Sequence, residues 1–482
     1  MATKKTIKGK VRRERDFLGE LLVPAHAYYG IQTARAAKNF PISGLRTHPL
    51  MVKAMALIKM AAAQANKELG KLETKKAGAI IKACNEIIKG KFSGQFIVDV
   101  FEMGAGTSFH MNMNEVIANR AEEILGGELG GYRLVHPNDH VNMGQSTNDV
   151  YPTAMRLAAA LLLRDHLLPH LKEMENAFFG KAKEFEHVVK SGRTHLQDAV
   201  PITLGQEFRA YGKALTKCRS FIARAGESLL ELGIGGSAVG TGLNTAPGYR
   251  ELVVRHLSRM TGLKLKTGDD LREAMQSMRP FAEVSVGLRN LAGEMNRISD
   301  DLRLLGSGPR TGLGEISLPA VAPGSSIMPG KVNPSMLEMM NMVCYQVMGC
   351  DLVICAASQA GQLELNVMMP VISFNLNFMI EIMGQALLQV RTRCIEGIRA
   401  DIKRCREYAE KSLGIVTVLS PRIGYARASE IAREAVAKQK TLREIIEEEG
   451  IFPKDEVDKI LDLERTTNPL LKVRLSRKAK KT

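Results

Sequence analysis

The sequence Val284-Ser-Val-Gly-Leu-Arg-Asn-Leu-Ala-Gly-Glu-Met-Asn-Arg-Ile-Ser-Asp-Asp-Leu-Arg-Leu-Leu305 carries apolar residues at alternating steps of four and three. That spacing is typical of the contact stripe of a coiled coil. Polar residues such as Arg289 and Asp300 occupy the other faces. The segment therefore predicts one long helix whose apolar stripe packs against other helices.

Helical spacing of the same kind extends over much of the chain. It covers residues 151–190, with Pro169 as a kink, and continues over 203–232 and 335–399. Shorter helical patterns run over 49–69 and 74–89. Aromatic residues make up only 5% of the chain, Trp is absent and there are 24 Met, a composition that favours packed helices over a sheet. We predict a mainly all-α fold with a long helical bundle that packs on copies of itself.

The charge of the two ends, together with changes in glycine and proline punctuation between them, divides the 482-residue chain into five parts. Long uninterrupted helical patterns mark the middle, and shorter helices with frequent breaks follow it. The predicted parts are a disordered basic tail (1–15), an N-terminal domain (16–145), a central helical bundle (146–400), a small C-terminal helical domain (401–470) and a second basic tail (471–482).

The net charge of +16 lies mostly in the two tails, which carry about +6 each. Neither tail contains an aromatic residue that would stack on bases. We therefore expect solvated ends that aid solubility and no nucleic-acid partner.

Cysteine usage and hydropathy point to a cytoplasmic protein. The seven Cys include no C-x-x-C pair, which favours reduced thiols. The basic N-terminus is not followed by an apolar segment, so it is no signal peptide. Uninterrupted apolar runs are too short for a membrane span, so no membrane association is expected.

Four polar segments stand out against the helical background, and three of them directly precede helical patterns. The segments are Gly104–Ser108, Gln145–Asp149, Gly192–Asp198 and Gly324–Pro334. Taken singly, each segment before a helix predicts no more than a helix cap, for example Asn333 followed by Pro334. Together, three helix N-termini with Arg193 and Lys331 nearby suit a small dianion. Phosphate-loop spacing, a nucleophile elbow and a cluster of metal ligands are absent from the sequence, so we expect no metal.

The fourth segment, Gly324-Ser-Ser-Ile-Met-Pro-Gly-Lys-Val-Asn-Pro334, resembles the signature of the aspartase/fumarase superfamily. The resemblance covers roughly residues 15–465. It also rests on 23–30, 138–142, 192–198, 360–368 and 412–417. It implies an N-terminal domain, a central five-helix bundle and a small C-terminal domain. It further implies a homotetramer with a twenty-helix core, in which each active site draws on three subunits.

The resemblance also implies roles for individual residues. Ser325, as an oxyanion, resembles the base that takes the β-proton, and Glu338 matches the acidic partner of His195, so these three are the candidate catalytic residues. The candidate substrate-binding residues are Thr107, Ser108, Ser146, Thr147, Asn148, Thr194, Ser326, Lys331, Asn333 and, by a looser match, Arg35. No cofactor is implied.

Two positions indicate which group leaves the substrate. Ala105, within Gly104–Ser108, and Thr147 match the aspartase form, where fumarases typically have Ser at both positions. Met369 departs from both branches, which have Glu or Lys there. The resemblance implies elimination of ammonia from L-aspartate, through an aci-carboxylate, to give fumarate. The alternatives are a class II fumarase, a lyase for an N-substituted aspartate or, from another functional class, a non-catalytic helical scaffold.

Overall fold

The structure is a computed structural model that describes residues 10–467, and it is mainly helical, as predicted. The predicted tail 471–482, and residues 1–9 of the other tail, lie outside the described residues. From the N-terminus, the helices are α1 Ile31–Asn39, α2 Pro49–Glu68, α3 Thr74–Ile88, α4 Thr107–Ile124, α5 Thr147–Leu162, α6 Leu168–Glu184, α7 Leu204–Glu227, α8 Tyr249–Thr261 and α9 Glu273–Gln276. They continue as α10 Arg279–Leu305, α11 Ser335–Gln359, α12 Met369–Arg393, α13 Ile402–Lys411, α14 Ser420–Ile423, α15 Tyr425–Lys438, α16 Leu442–Glu448, α17 Lys454–Ile460 and α18 Leu463–Thr466.

Short strands form two-stranded sheets between the helices. Their antiparallel pairs are β1 Val11–Asp16 with β2 Gly19–Pro24, β3 Val189–Thr194 with β4 Gln197–Thr203, and β7 Ile316–Ser317 with β8 Arg399–Ala400. The strands β5 Glu231–Leu232 and β6 Lys266–Thr267 are parallel.

The prediction of a disordered tail up to Arg15 was wrong for residues 11–15, which belong to β1. Here the basic side chains are not simply solvated. Arg12 donates to the carbonyl oxygens of Ala27 at 2.6 Å and Tyr29 at 2.8 Å. Buried Glu14 accepts from the backbone N–H of Ile31. These bonds tie the strand to the start of α1.

The described chain divides into two compact units. One comprises residues up to Pro169, Cys218–Ala292 and Val343–Gln385, and the other His170–Lys217, Gly293–Met342 and the residues from Ala386 onward. The boundaries of the three predicted domains stay a prediction.

The heptad stripe of α10 is buried along its full length, which confirms the prediction of a packed helix. The buried residues of the stripe are Val284, Leu288, Leu291, Met295, Ile298, Leu302 and Leu305. Similarly, the helical patterns predicted over 49–69 and 74–89 correspond to α2 and α3. By contrast, the pattern over 335–399 is two helices, α11 and α12, because a non-helical segment at 360–368 separates them.

Two helical segments, Ser335–Gln359 and Met369–Gly397, are long and apolar enough to cross a membrane by length and composition alone. Buried polar groups of Ser335–Gln359 pair with another protein helix. In the first unit, Asp351 accepts from Ser285 and from Arg289. In the second unit, the Asn341 amide donates to Asn296 Oδ1 at 2.7 Å. Because these partners all lie on α10, we interpret Ser335–Gln359 as a bundle helix, as the sequence predicted. The apolar window of Met369–Gly397 is 61% buried inside the protein, which favours the same interpretation for that segment.

Helix α2 is central to the first unit, where it packs against α3, α5 and α8. Its buried face is mostly Ala, Met and Ile, but it also includes Lys59, which has no solvent exposure. In the second unit, the C-terminal helices share an apolar core around Ile431, Leu442 and Ile445. Val189 of β3 belongs to the same core, so the C-terminal helices pack against the β3–β4 hairpin.

Candidate active site

The start of α5 carries three of the predicted binding residues on a well-capped helix. The Ser146 side chain accepts from the Asn148 N–H at 3.2 Å, and the Asp149 carboxylate accepts from the Ser146 N–H at 2.9 Å. This is a capping box, as expected for a Ser-x-x-Asp sequence. Thr147 opens the helix, and the residue is half-buried.

Asp149 is fully buried, and it connects the capping box to a neighbouring loop. Its second carboxylate oxygen accepts from the N–H groups of Gly235 at 2.9 Å and Ser237 at 3.1 Å. Burial raises the pKa of Asp149 to about 6, against the lowering effect of these N–H donors. The Asn148 amide donates to the Ala238 carbonyl at 2.8 Å, so the start of α5 and residues 235–238 form one hydrogen-bonded assembly.

The start of α4 carries Thr107 and Ser108 after a tight turn. Gly106 has a φ of +83°, and a Cβ there would lie 2.0 Å from the Tyr151 ring, so only glycine fits. Ser108 is buried beside Glu102, whose pKa burial raises to about 8. Glu102 also accepts from the Phe109 N–H at 2.8 Å. Thr107 is therefore the more accessible of the two predicted residues.

A hydrogen bond brings these two helix starts together. His110 Nδ1 on α4 lies 2.6 Å from Thr147 Oγ1 on α5. The other ring nitrogen of His110 lies 2.6 Å from Lys59 Nζ on α2. Sequence reasoning identified neither Lys59 nor His110 as a site residue. The signal for Lys59 was a single lysine inside the apolar run 54–63.

The loop 324–334 closes on itself around Ser325. The Gly324 N–H donates to the Lys331 carbonyl at 2.8 Å, and the Asn333 amide donates to the Gly324 carbonyl at 2.7 Å. Ser325 Oγ accepts from the N–H groups of Ile327 at 3.2 Å and Met328 at 2.9 Å. The structure thus supplies a feature that the sequence did not show, namely two N–H donors aimed at the predicted base.

The side chains around this loop differ in exposure. Ser326 and Lys331 are exposed, whereas Ser325 and Asn333 are half-buried. Lys331 lies in the same loop as Ser325 and is exposed to solvent, so a bound anion can contact its ammonium group.

Thr194 and His195 lie at the tip of the β3–β4 hairpin, and both are exposed. His195 has a φ of +55° and Leu196 a φ of +59°, so two consecutive non-glycine residues adopt the left-handed region. A two-residue hairpin loop of type I′ requires a positive φ at both positions, so the turn fixes this backbone conformation. Glu338 lies in the first turn of α11, and within residues 10–467 no hydrogen bond or ion pair joins it to His195. The predicted His–Glu pair is thus not formed within one chain.

Two predicted positive charges are already paired. Arg193 donates to both carboxylate oxygens of Glu315, and it therefore supports the hairpin rather than adding free charge to the site. Arg35 donates to both carboxylate oxygens of Asp16 at 2.8 and 2.9 Å and to the Gly19 carbonyl at 2.8 Å. This engagement favours a structural role for Arg35 at the β1–β2 hairpin.

Among residues 10–467, no group of three or more His, Cys, Asp or Glu side chains is arranged to hold a metal ion. The polar groups at the helix starts are hydroxyls, amides and backbone N–H groups. Their N–H and O–H groups can donate to an organic anion, and their oxygens can accept from an ammonium group.

The sequence matches two family descriptions, Lyase over residues 19–349 and Fumarase C C-terminus over residues 415–468. An aspartate ammonia-lyase of Bacillus subtilis (strain 168) is 49% identical over 458 residues, which is 95% of this chain and 96% of the relative. The likeness therefore extends over nearly the whole of both proteins.

Solved structures are similar over the same extent. A fumarate lyase:delta crystallin from Brucella melitensis, in a crystal structure bound to cobalt, has a TM-score of 0.92 at 47% identity, covering 95% of this chain and 100% of that chain. A class II fumarase from Schistosoma mansoni also has a TM-score of 0.92, at 37% identity, covering 96% of this chain and 100% of that one. The fold is thus shared by proteins that differ in sequence by more than half.

Proposed function

This chain belongs to the lyase family that it matches over residues 19–349, and from that membership we propose that its active site eliminates ammonia from L-aspartate to give fumarate. The enzyme is a carbon–nitrogen lyase. The identity to aspartate ammonia-lyases favours ammonia as the leaving group over the water lost by fumarases.

The hydrogen bonding of Ser325 carries the proposal. A serine is a poor base, and it needs an environment that stabilises its oxyanion. Two N–H groups donate to the Ser325 hydroxyl oxygen, and hydrogen bonds to a charged form favour that form. Ser325 is therefore suited to take the proton from the β-carbon of aspartate.

Proton removal creates an aci-carboxylate dianion, which needs positive charge and hydrogen-bond donors. Lys331 and Asn333 follow Ser325 in the same loop and are the proposed ligands of this carboxylate. Groups aimed at charge that develops during the reaction stabilise the transition state more than the ground state. His195, with Thr194, is the proposed contact from the β3–β4 hairpin.

The ammonium group of aspartate needs oxygen acceptors. The starts of α4 and α5 provide such acceptors, and we assign the amino side of the substrate to them. The residues are Thr107, Ser146, Thr147 and Asn148. Because Thr147 opens α5, the helix N-terminus also favours the substrate's negative groups nearby.

The proposal includes a homotetramer whose subunits share each site. Support comes from α11, where Met342 is 66% exposed, Tyr345 58% and Leu352 71%. These apolar residues recur at helical spacing, so they form one face that a monomer leaves in water. We propose that a second copy of the chain packs against this face. In the same assembly, Glu338 is proposed to pair with His195 of another subunit.

We also propose that the enzyme is cytoplasmic. Burial raises the pKa of the thiols of Cys84, Cys394 and Cys405 to about 12, which keeps them protonated and unreactive. Such thiols suit a reducing compartment. Fractionation of cells that produce the full chain, with immunodetection, tests this location.

The substrate is tested by following fumarate absorbance with L-aspartate and with malate separately. We expect fumarate from aspartate. Turnover of malate alone would identify a fumarase instead, and turnover of N-substituted aspartates alone would identify a related lyase. Ser325→Ala should lose turnover while the matched control Ser317→Ala, an exposed serine on β7, keeps it; near-normal activity of Ser325→Ala would remove the assigned base.

A further inference from the structure

Lys59 is a buried cation beside the proposed ammonium site. Its Nζ lies 2.9 Å from Asn142 Oδ1 and 2.9 Å from Gln145 Oε1. The Asn142 amide nitrogen donates to the Gln145 carbonyl, and the Gln145 amide nitrogen donates to the Val141 carbonyl at 3.1 Å. Both amide oxygens therefore face Lys59, which donates to each of them whether it is charged or neutral.

The third partner of Lys59 is His110 Nε2, at 2.6 Å, and His110 Nδ1 lies 2.6 Å from the Thr147 hydroxyl. A neutral imidazole has one N–H and one acceptor nitrogen. The group that Lys59 presents to Nε2 therefore fixes which nitrogen carries the hydrogen, and this in turn fixes the hydrogen bond at Thr147.

Two hydrogen arrangements satisfy the three side chains. When Lys59 is charged, its third N–H goes to His110 Nε2, so Nδ1–H donates to Thr147 Oγ1 and occupies one oxygen lone pair. When Lys59 is neutral, its lone pair accepts from Nε2–H, and Nδ1 accepts the Thr147 hydroxyl hydrogen. Only in the second arrangement do both lone pairs of Thr147 remain available to a substrate.

Building on the proposed function, we infer that His110 is a positioning residue that turns the Thr147 hydroxyl toward the ammonium group of aspartate when Lys59 is uncharged. The uncharged arrangement also avoids a second cation near the substrate ammonium. The charge of Lys59 on α2 therefore sets the orientation of the Thr147 hydroxyl, and it does so through His110, which does not contact the substrate.

The surroundings of Lys59 support this role. Burial lowers the pKa of Lys59 to about 7, and burial also lowers the pKa of His110, which keeps the imidazole neutral. The other titratable groups facing Lys59 are Asp149 from α5 and Cys84 from α3. Tyr249 from α8 lies beside Asp149, and its pKa is raised well above the ordinary value by burial. A small change in pH near neutrality therefore changes the charge of Lys59.

Two variants test the roles of the two ring nitrogens of His110 separately. His110→Gln places its amide near the Nε2 position, so it keeps the hydrogen-bond partner of Lys59 but removes the partner of Thr147. In the amination of fumarate, we expect it to raise KM for ammonium by about tenfold, the effect of a lost hydrogen bond to a charged group, while KM for fumarate stays within about twofold. His256→Gln, a part-buried histidine elsewhere in the same unit, is the matched control and should change neither.

His110→Asn places its amide near the Nδ1 position, so it keeps the hydrogen-bond partner of Thr147 but removes the partner of Lys59. The wild-type kcat/KM for aspartate should fall as the pH decreases through about 7, because Lys59 then becomes charged. In His110→Asn this dependence should disappear. The double variant Thr147→Val/His110→Gln should cost no more activity than Thr147→Val alone, because His110 acts through Thr147.

The outcomes distinguish the inference from the function on which it rests. A wild-type enzyme that fails to turn over aspartate overturns both. A wild-type enzyme that is active, with His110→Asn keeping the same pH dependence, overturns the inference alone. The same conclusion follows if His110→Gln raises both KM values equally, or if its effect adds fully to that of Thr147→Val.

Discussion

Arg193 Nη1 lies 2.9 Å from each carboxylate oxygen of Glu315, and Glu315 has no solvent exposure. Lys190 Nζ lies 3.4 Å from the same carboxylate. Because Arg193 directly precedes Thr194 and His195, this buried ion cluster anchors the strand that ends at the proposed substrate contacts.

Replacing Glu315 by Gln should destabilise the protein and weaken substrate binding. The variant keeps the side-chain shape but leaves Lys190 and Arg193 without their shared anion, and breaking a buried pair in this way costs about 3 kcal/mol. We expect a lower melting temperature and a higher KM for aspartate. Glu294→Gln, which removes an exposed partner of Arg297, is the control and should leave both unchanged. An unaltered melting temperature in Glu315→Gln contradicts the anchoring role.

Replacing Gly324 by Ala should remove the environment that activates Ser325. A Cβ at this position would lie 2.6 Å from the Lys331 carbonyl oxygen, so the closed loop would have to open. With the two N–H donors displaced, kcat should fall by about a hundredfold or more, as when oxyanion donors are removed. Gly94→Ala, where the added Cβ meets nothing within 4 Å, should keep full activity. Equal kcat values for the two variants would show that loop closure does not matter.

The parts of the fold that follow from local sequence were predictable. The stripe from Val284 to Leu305 has a fixed period, and a period of this kind requires a buried helix face wherever it occurs. The segment 360–368 was not recognised as a break because Asn366 and Met368 fit a helix as well as a loop. The strand from Val11 was missed because Arg12, which looks like part of a solvated tail, bonds to backbone carbonyls farther along the chain.

Contacts between distant residues limited the prediction of the site. Arg193 was interpreted as a free cation because its partner Glu315 is 122 residues away. Lys59 went unassigned because its role depends on His110 and Gln145, which other elements bring to it. In contrast, the helix cap at Ser146 is local, and the structure has a cap there as the sequence predicted.

Replacing Leu352 by Glu should prevent assembly. Leu352 lies at the exposed apolar face of α11, and a charge there would be buried without a partner in the proposed tetramer. We expect light scattering after size-exclusion chromatography to show smaller species, with loss of activity because each site needs several subunits. Val436→Glu changes another exposed apolar residue, on α15, and should remain tetrameric and active. A tetramer of Leu352→Glu would exclude this face as the interface.

Replacing Lys59 by Met should change how stability depends on pH. Burial lowers the folded-state pKa of Lys59 from 10.5 to about 7, so between these values the unfolded chain binds more protons than the folded one. The stability contributed by this group therefore rises with pH across that window. The difference in melting temperature, wild type minus Lys59→Met, should increase from pH 7 to pH 10. A constant difference would mean that the pKa of Lys59 is not lowered in the folded protein.

Mixing two variants of low activity should raise activity if subunits share a site. Ser325→Ala and Thr147→Val each impair a different segment of the site. In a one-to-one hybrid, half of the sites receive an intact 325 loop and half of those an intact Thr147, so about a quarter of the sites are intact and about a quarter of wild-type activity should be reached. Mixing Ser325→Ala with Lys331→Ala is the control, because both residues belong to one loop and no site regains an intact copy. Native mass spectrometry establishes that hybrids form. Hybrids of the first mixture whose activity does not rise would place Ser325 and Thr147 of each site on the same chain.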